Sequence, residues 1–234
     1  MKKTAIIIFM MVLLIGFAGT AGATLFTSSG ATADFTINGS GQLVVTLTNT
    51  SSADVLDPSQ VLTAVFFNLS DNLNPVSATV TSGSIVYDPA HATTTNVGGE
   101  WAYSTGLSGA PLGDNSGISS TGLGLFSFSN FNGPELAGPT NGALDGLQYG
   151  ITSAGDNLAT GNTAILDSGG LIKNQVVFTL SGLPIGFDTN SISNVFFQYG
   201  TSLNESQVPE PSSLLLLGSG SLGLGLFGRK RFRK

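Results

Sequence analysis

Cysteine is absent from the 234-residue sequence, and histidine occurs once, at His91. The absence of cysteine excludes disulfide frameworks, cysteine-ligated metal centres and cysteine nucleophiles. A single histidine leaves no multi-histidine metal site, and we expect no cofactor. Charged residues make up only 9% of the chain, which is too few for a coiled coil or a helical bundle. The length suffices for one domain together with targeting segments.

Basic residues are scarce between the two ends of the chain. Only Lys173, of the eight lysines and arginines, lies between Thr24 and Val208, whereas thirteen of the fourteen acidic residues lie there. This body is therefore strongly acidic, which the net charge of −6 for the whole chain conceals. Because nucleic acid and anionic lipid are bound through lysine and arginine, the composition excludes nucleic acid as a partner and disfavours an anionic lipid surface for the body.

The N-terminal segment has the three parts of a secretory signal peptide. Lys2 and Lys3 form a positive start, residues 5–18 are an apolar run, and Ala21 and Ala23 are the small residues of a cleavage site. An uncleaved anchor is the alternative, but the run is shorter than the roughly 20 residues of a comfortable membrane span. We expect residues 1–23 to be removed, so that the mature chain begins at Thr24.

The C-terminal segment, residues 208–234, has an ordered pattern of its own. Val208, Pro209, Glu210 and Pro211 precede an apolar stretch over residues 212–228. As a helix this stretch would span about 25 Å, and the prolines would set its start. Basic residues stay on the cytoplasmic side of a membrane, so the body would lie outside. The basic cluster that follows the stretch consists of Arg229, Lys230, Arg231, Arg233 and Lys234.

This tail resembles the PEP-CTERM sorting signal of Gram-negative bacteria, which combines a Pro-Glu-Pro motif, a short apolar helix and a terminal basic cluster. The resemblance implies recognition by exosortase, a membrane cysteine protease, and transient anchoring in the inner membrane before display at the cell surface or in the extracellular matrix. An ordinary tail anchor is the alternative. More loosely, segments 99–103, 146–151 and 197–203 resemble uncharacterised exosortase-dependent surface proteins, which implies a location and no chemistry.

Between these ends, residues 24–201 have the period-two pattern of β-strands. Apolar residues alternate over 43–48, whereas 61–67 is uniformly apolar and indicates a strand buried on both faces. The glycine-rich stretch 106–170 is expected to consist mainly of ordered loops, and residues 202–207 of a linker. We predict one antiparallel β-sandwich or jelly-roll-like domain. Shorter candidate strands are 78–80, 84–87, 101–103, 123–128, 147–151, 175–180 and 195–199.

One sequence pattern occurs twice in the body. Segments 65–68 and 195–198 each begin with Val-Phe-Phe, each follows a Thr-Leu pair, and an aspartate, Asp57 or Asp188, lies in each intervening loop. The repetition suggests two equivalent hairpins in facing sheets. The alternative is that strands simply share a small set of residue types.

Few residues of the body indicate chemistry. A Ser-His-Asp hydrolase would have to use His91, but the sequence contains no Gly-x-Ser-x-Gly motif to supply the serine nucleophile. Glycoside hydrolysis needs two carboxylates, and Glu100 beside Trp101 is the pair most worth attention. Oxygen-rich turns at 114–116 and 156–157 could bind calcium, although Asp-Asn beside glycine is also ordinary turn chemistry.

We therefore predict a non-enzymatic surface or extracellular-matrix protein. The first alternative is a carbohydrate-binding module for matrix polysaccharide, since aromatic rings can stack on sugars, with Trp101 as the candidate sugar contact. A glycan-active hydrolase is the second. Further aromatic candidates, which could equally pack the core, are Tyr87, Tyr103, Tyr149 and Tyr199.

Overall fold

The computed structural model describes residues 22–204, except residues 29, 89, 92, 138–141 and 145. Over these residues the chain consists mainly of strands and loops, with one four-residue helix, α1 (Thr163–Leu166). This content confirms the all-β prediction. The twelve strands are, in chain order, β1 (Thr24–Ser28), β2 (Ala31–Ile37), β3 (Leu43–Asn49), β4 (Leu62–Asn68), β5 (Asn74–Thr79), β6 (Ile85–Tyr87), β7 (Ala102–Thr105), β8 (Ser116–Ser119), β9 (Ile151–Thr152), β10 (Leu171–Lys173), β11 (Gln175–Ser181) and β12 (Ser193–Tyr199).

The first sheet contains five antiparallel strands in the order β1-β2-β3-β11-β5. In β3, Leu43, Val45 and Leu47 are fully buried and the residues between them are half-buried, as the alternation predicts. The strand β11 shows the same alternation. One face of this sheet therefore contributes to the core, and the other face is open to solvent.

The second sheet contains seven strands, six of them in the order β6-β10-β9-β4-β8-β7. The seventh strand, β12, also pairs with β4, which therefore contacts β8, β9 and β12. Six of the seven residues of β4 are buried, which confirms a strand covered on both faces. Phe67 packs against Phe35 of the first sheet, with ring centroids 5.2 Å apart, whereas Phe66 contacts Phe126 in a separate cluster. The two sheets thus share one core, and their strand number and order differ from those of an eight-stranded jelly roll.

The repeated pattern corresponds to two sheet-crossing units and not to hairpins in facing sheets. The strand β3 leads to β4 and β11 leads to β12, each through a 3₁₀ turn capped by Asp57 or Asp188. Because β3 pairs with β11 in the first sheet and β4 pairs with β12 in the second, the two units lie side by side in antiparallel directions.

Two of the predicted strands are wrong. Residues 123–128 form turns with a single bridge at Phe128, and residues 147–150 form a turn before the two-residue strand β9. Phe126 and Leu147 are nevertheless buried, so their apolar side chains hold loops in place instead of extending the sheets. This outcome agrees with the expectation of ordered loops in the glycine-rich stretch.

The folded body extends further towards the C-terminus than the predicted linker at 202–207 allows. Gln198 Nε2 donates to the carbonyl oxygens of Tyr199 and Ser202 at 2.5 and 2.9 Å, and Leu203 packs against the cluster that contains Phe66. Residues 202–204 therefore belong to the body. The predicted signal peptide up to residue 21 and residues 205–234 lie outside the described residues.

Candidate functional site

Four of the five aromatic residues considered for sugar stacking are buried. Tyr103, Tyr149 and Tyr199 are buried, and Trp101 is fully enclosed. Tyr87 is the exception, with 43% of its surface exposed. Of these five residues, only Tyr87 therefore presents its ring to solvent.

The prediction of Trp101 as a sugar contact is wrong, because its side chain is fully buried. The indole ring packs edge-on against Phe178 of β11, with ring centroids 4.8 Å apart. Its side chain belongs to the core shared by both sheets. A ring with no exposed face cannot stack on a saccharide, so Trp101 is a packing residue.

Glu100 is also an interior residue. Its carboxylate accepts the backbone N–H groups of Leu136 and Ala137, and its side chain is almost wholly shielded from solvent. The preceding Gly99 lies so close to the Pro134 carbonyl that any Cβ there would collide with it. Glu100 thus anchors the 134–137 loop from the interior of the body.

A groove of about 580 Å³ lies beside Tyr87 at one edge of the second sheet. The edge strand β6 alternates, so that Ile85 and Tyr87 face outward while Val86 faces the core. The opposite wall comes from α1 and the turn after it, where Leu166 is 51% exposed. Such a groove, apolar with a few polar groups, has the volume of a small-ligand site. Its principal lining residues are Tyr87, Leu158, Leu166, Asp167, Gly170 and Leu171.

Directly after Tyr87 in the chain, Asp88 belongs to a hydrogen-bonded cluster, the Asp88 cluster, with the buried Tyr149 and the partly exposed His91. The Asp88 carboxylate accepts the Tyr149 hydroxyl at 2.5 Å and lies 2.6 Å from His91 Nδ1. It also accepts the Ala90 N–H at 2.8 Å. Gly170, which lines the groove, lies against the Tyr149 ring, where a Cβ would come within 2.8 Å of it, so the cluster packs directly behind this part of the groove.

The electrostatics of the Asp88 cluster favour a fixed carboxylate. Burial raises the pKa of Asp88, but the hydrogen bonds from Tyr149 and His91 outweigh burial and leave the pKa below its ordinary value. Burial and the adjacent Asp88 charge raise the pKa of Tyr149 far above its ordinary value, so its hydroxyl remains a donor. Three hydrogen bonds therefore hold the Asp88 carboxylate directly after Tyr87 in the chain.

The two calcium candidates differ in their surroundings. Asp114 is fully buried, and the side chain of Asn115 is occupied by the backbone of Leu69. Asp156 is buried beside Asp54. Over the described residues, no group of three or more histidine, aspartate or glutamate residues is arranged to hold a metal ion.

Sequence reasoning named Tyr87 as one aromatic among five and missed the rest of the groove. Leu166 and Asp167 reach it through α1, a four-residue helix capped by the Asn162 side chain. An Asn-x-x-Ile cap of this kind is a weak signal in a glycine-rich stretch. Among residues 22–204 as described, no helix is long and apolar enough to cross a bilayer.

Comparison with known proteins identifies the tail. The model of the PEP-CTERM protein-sorting motif matches residues 207–231, which include Val208, Pro209, Glu210 and Pro211 and begin three residues beyond the last described residue. Comparison with curated proteins and with solved structures found no match. The chain therefore carries a PEP-CTERM sorting signal, which implies export, a transient membrane anchor and exosortase-dependent sorting.

Proposed function

We propose that the protein is a non-enzymatic component of the cell surface or extracellular matrix, delivered by its sorting signal. In this proposal residues 212–228 cross the inner membrane, the basic cluster 229–234 stays in the cytoplasm, and an exosortase-like protease processes the chain near Pro209–Pro211. The single observation that carries the proposal is the sorting motif at residues 207–231 directly behind an independently packed acidic body.

The charge distribution supports this orientation. Thirteen acids and one base lie in the body, while five basic residues close the tail. Positively charged flanks remain in the cytoplasm during membrane insertion, and an acidic body has no electrostatic attraction to anionic lipid once it is outside. Both features favour a body that leaves the membrane after processing.

The short connection between body and motif supports processing close to the folded domain. Residues 205–207 separate the last described residue, Asn204, from Val208. Four successive peptide units span at most about 14 Å when fully extended. The body must therefore stand near the membrane surface while the protease acts.

Sorting is tested by replacing both prolines of the motif, Pro209→Ala and Pro211→Ala, and by following the chain in membrane, surface and medium fractions. The wild type is expected mainly in the surface and medium fractions, and the variant in the membrane fraction. Replacement of Pro184, in a loop of the body, is the matched control and should leave the distribution unchanged. Equal distribution of the wild type and the motif variant would contradict the proposal.

The groove beside Tyr87 favours a second candidate function, binding of matrix polysaccharide. An exposed tyrosine ring can stack on a sugar ring, and the Asp167 carboxylate and the Ser168 hydroxyl, which also line the groove, can accept or donate hydrogen bonds to sugar hydroxyls. The Asp88 cluster fixes the backbone next to Tyr87, which lowers the entropy lost on binding.

Retention on purified exopolysaccharide tests this second function. Tyr87→Ala is expected to reduce retention about 5- to 10-fold, because a stacking contact contributes about 1–1.5 kcal/mol. Ile85→Ala is the matched control, since Ile85 is an equally exposed outward residue of β6 outside this groove. Equal retention of the wild type and Tyr87→Ala would exclude the groove as the binding site.

A further inference from the structure

The groove beside Tyr87 adjoins a second groove at the C-terminal end of α1. The second groove has a volume of about 330 Å³, and Asp167 and Ser168 line both grooves. The two grooves therefore form one open cleft, the α1 cleft, with these two residues at the junction. The second groove adds the polar side chains of Gln148 and Thr201 to the lining of the cleft.

The backbone at the junction is held in place by α1. Ile165 of this helix is buried and packs in a small apolar cluster with Leu147. The Asp167 N–H donates to the Thr163 carbonyl oxygen at 2.9 Å, and the Ser168 hydroxyl donates to the Ile165 carbonyl oxygen at 2.9 Å. The exposed Asp167 side chain thus extends from an ordered backbone, which lowers the entropy lost when a ligand binds.

The charge of the cleft is negative. Of the described residues that line the two grooves, only Asp167 is charged, and within the described part of the chain its carboxylate forms no ion pair. Lys173, the single lysine or arginine between Thr24 and Val208, donates instead to the backbone carbonyl oxygen of Asp156 at 2.7 Å. The cleft therefore repels an anionic ligand, whereas a cationic ligand supplies the missing counter-charge.

Tyr87 adds a second element of cation recognition. Its ring is 43% exposed and lines the same groove as Asp167. The face of an aromatic ring attracts an ammonium group, and a carboxylate accepts strong hydrogen bonds from one. The same ring can stack on a sugar. A sugar that carries an amine is therefore a ligand whose chemistry matches both side chains.

We propose that the α1 cleft binds a polysaccharide whose sugar units carry free amines. This inference rests on the second candidate function and narrows it from matrix polysaccharide in general to a cationic class. One sugar stacks on Tyr87, an ammonium group pairs with Asp167 at the junction, and the chain continues past Gln148 in the second groove. The excess of acids in the body also attracts such a polymer at long range and repels polymers of uronic acids.

Calorimetric titration of the full chain in detergent at pH 6 tests the amine, with the β-1,4-linked hexamer of glucosamine and the matching hexamer of N-acetylglucosamine as probes. The wild type is expected to bind the amine-bearing hexamer about 5-fold more tightly, as an exposed ion pair allows. Asp167→Asn should remove this preference. Asp188→Asn is the matched control and should retain it, because it removes an exposed charge outside the cleft and asparagine preserves the cap.

Chain length tests whether the ligand crosses both grooves. Gln148→Ala, in the second groove, is expected to weaken binding of the glucosamine hexamer about 3- to 5-fold more than binding of the dimer, because the hexamer alone reaches the Gln148 side chain. An equal effect on the hexamer and the dimer, or no effect on either, would overturn the shared cleft.

Three results separate the amine from the binding function itself. Equal affinity of the wild type for the two hexamers would overturn the amine-bearing ligand and leave polysaccharide binding in place. A preference that persists in Asp167→Asn, or a hexamer of lysine that binds as tightly as the glucosamine hexamer, would show general attraction to the acidic body and would also overturn it. Failure of the wild type to bind either sugar hexamer or the purified exopolysaccharide would refute the second function as well.

Discussion

At the scale of single residues, Asp114 is a buried acid whose protonation affects the stability of the body. It is fully buried, and neither of its carboxylate oxygens has a hydrogen-bond partner. Burial raises the pKa of this carboxyl from 3.8 to about 6. The folded state therefore holds a proton that the unfolded chain releases at lower pH, and the stability of the body falls as the pH rises from about 4 through 6.

Replacing Asp114 with asparagine should remove this penalty. At pH 7.5 we expect Asp114→Asn to raise the free energy of unfolding by about 2 kcal/mol and the Tm by about 5 °C. At pH 4 the wild type carries the proton in its folded state, so the two proteins should differ by less than about 1 kcal/mol. Thermal unfolding at both pH values measures the effect, and an equal difference at pH 4 and 7.5 would show that the charge of Asp114 is not its cause.

At the scale of elements, the repeated units β3–β4 and β11–β12 organise both sheets. Their 3₁₀ turns have the same type of cap: Asp57 accepts the Ser59 N–H at 3.0 Å, and Asp188 accepts the Asn190 N–H at 2.9 Å. Each cap stands where the chain leaves one sheet for the other. The two aspartates are therefore expected to contribute similarly to stability.

Removing either cap should cost a similar amount of stability. Asp57→Ala and Asp188→Ala are each expected to lower the free energy of unfolding by about 1 kcal/mol, whereas Asp57→Asn and Asp188→Asn should have little effect because asparagine caps equally well. Chemical denaturation of the four variants measures this. Alanine variants as stable as the asparagine variants would contradict the role of the caps.

How far the sequence predicts these elements depends on the length of each apolar pattern. Strands β3, β4, β11 and β12 each have seven residues, enough for alternation or a continuous apolar run to indicate a strand. The strand β8 has only four residues, Ser-Gly-Ile-Ser, and no such pattern. Its membership of the sheet is decided by pairing with β4 and β7, which are distant in sequence.

The candidate site was less accessible to sequence reasoning than the strands. Trp101 and Tyr87 are both aromatic residues near short strands, and period two alone does not tell which face of a short strand is inward. The structure distinguishes them because Tyr87 is on the outward face of β6 whereas the Trp101 ring belongs to the core shared by both sheets. Asp167 and Gln148 line one groove from separate loops, so no local spacing could indicate the pair.

At the scale of the whole molecule, the protein combines an acidic body, closed by its own core, with a C-terminal sorting signal. The acidic body has no electrostatic attraction to anionic lipid, so the membrane anchor is attributed to the sorting signal in the tail. The sorting signal implies export and a transient membrane anchor, whereas release and ligand binding are the proposals made above for the body. This division predicts that the body reaches its destination without the tail's basic end.

The intact mass of the protein recovered from the cell surface and medium tests this account most directly. The account predicts a chain that begins at Thr24 and lacks the basic residues 229–234, while the Pro209→Ala and Pro211→Ala variant retains them in the membrane fraction. The account would be contradicted if surface protein retained residues 229–234. It would also be contradicted if the wild-type chain were found in the cytosol with the mass of residues 1–234.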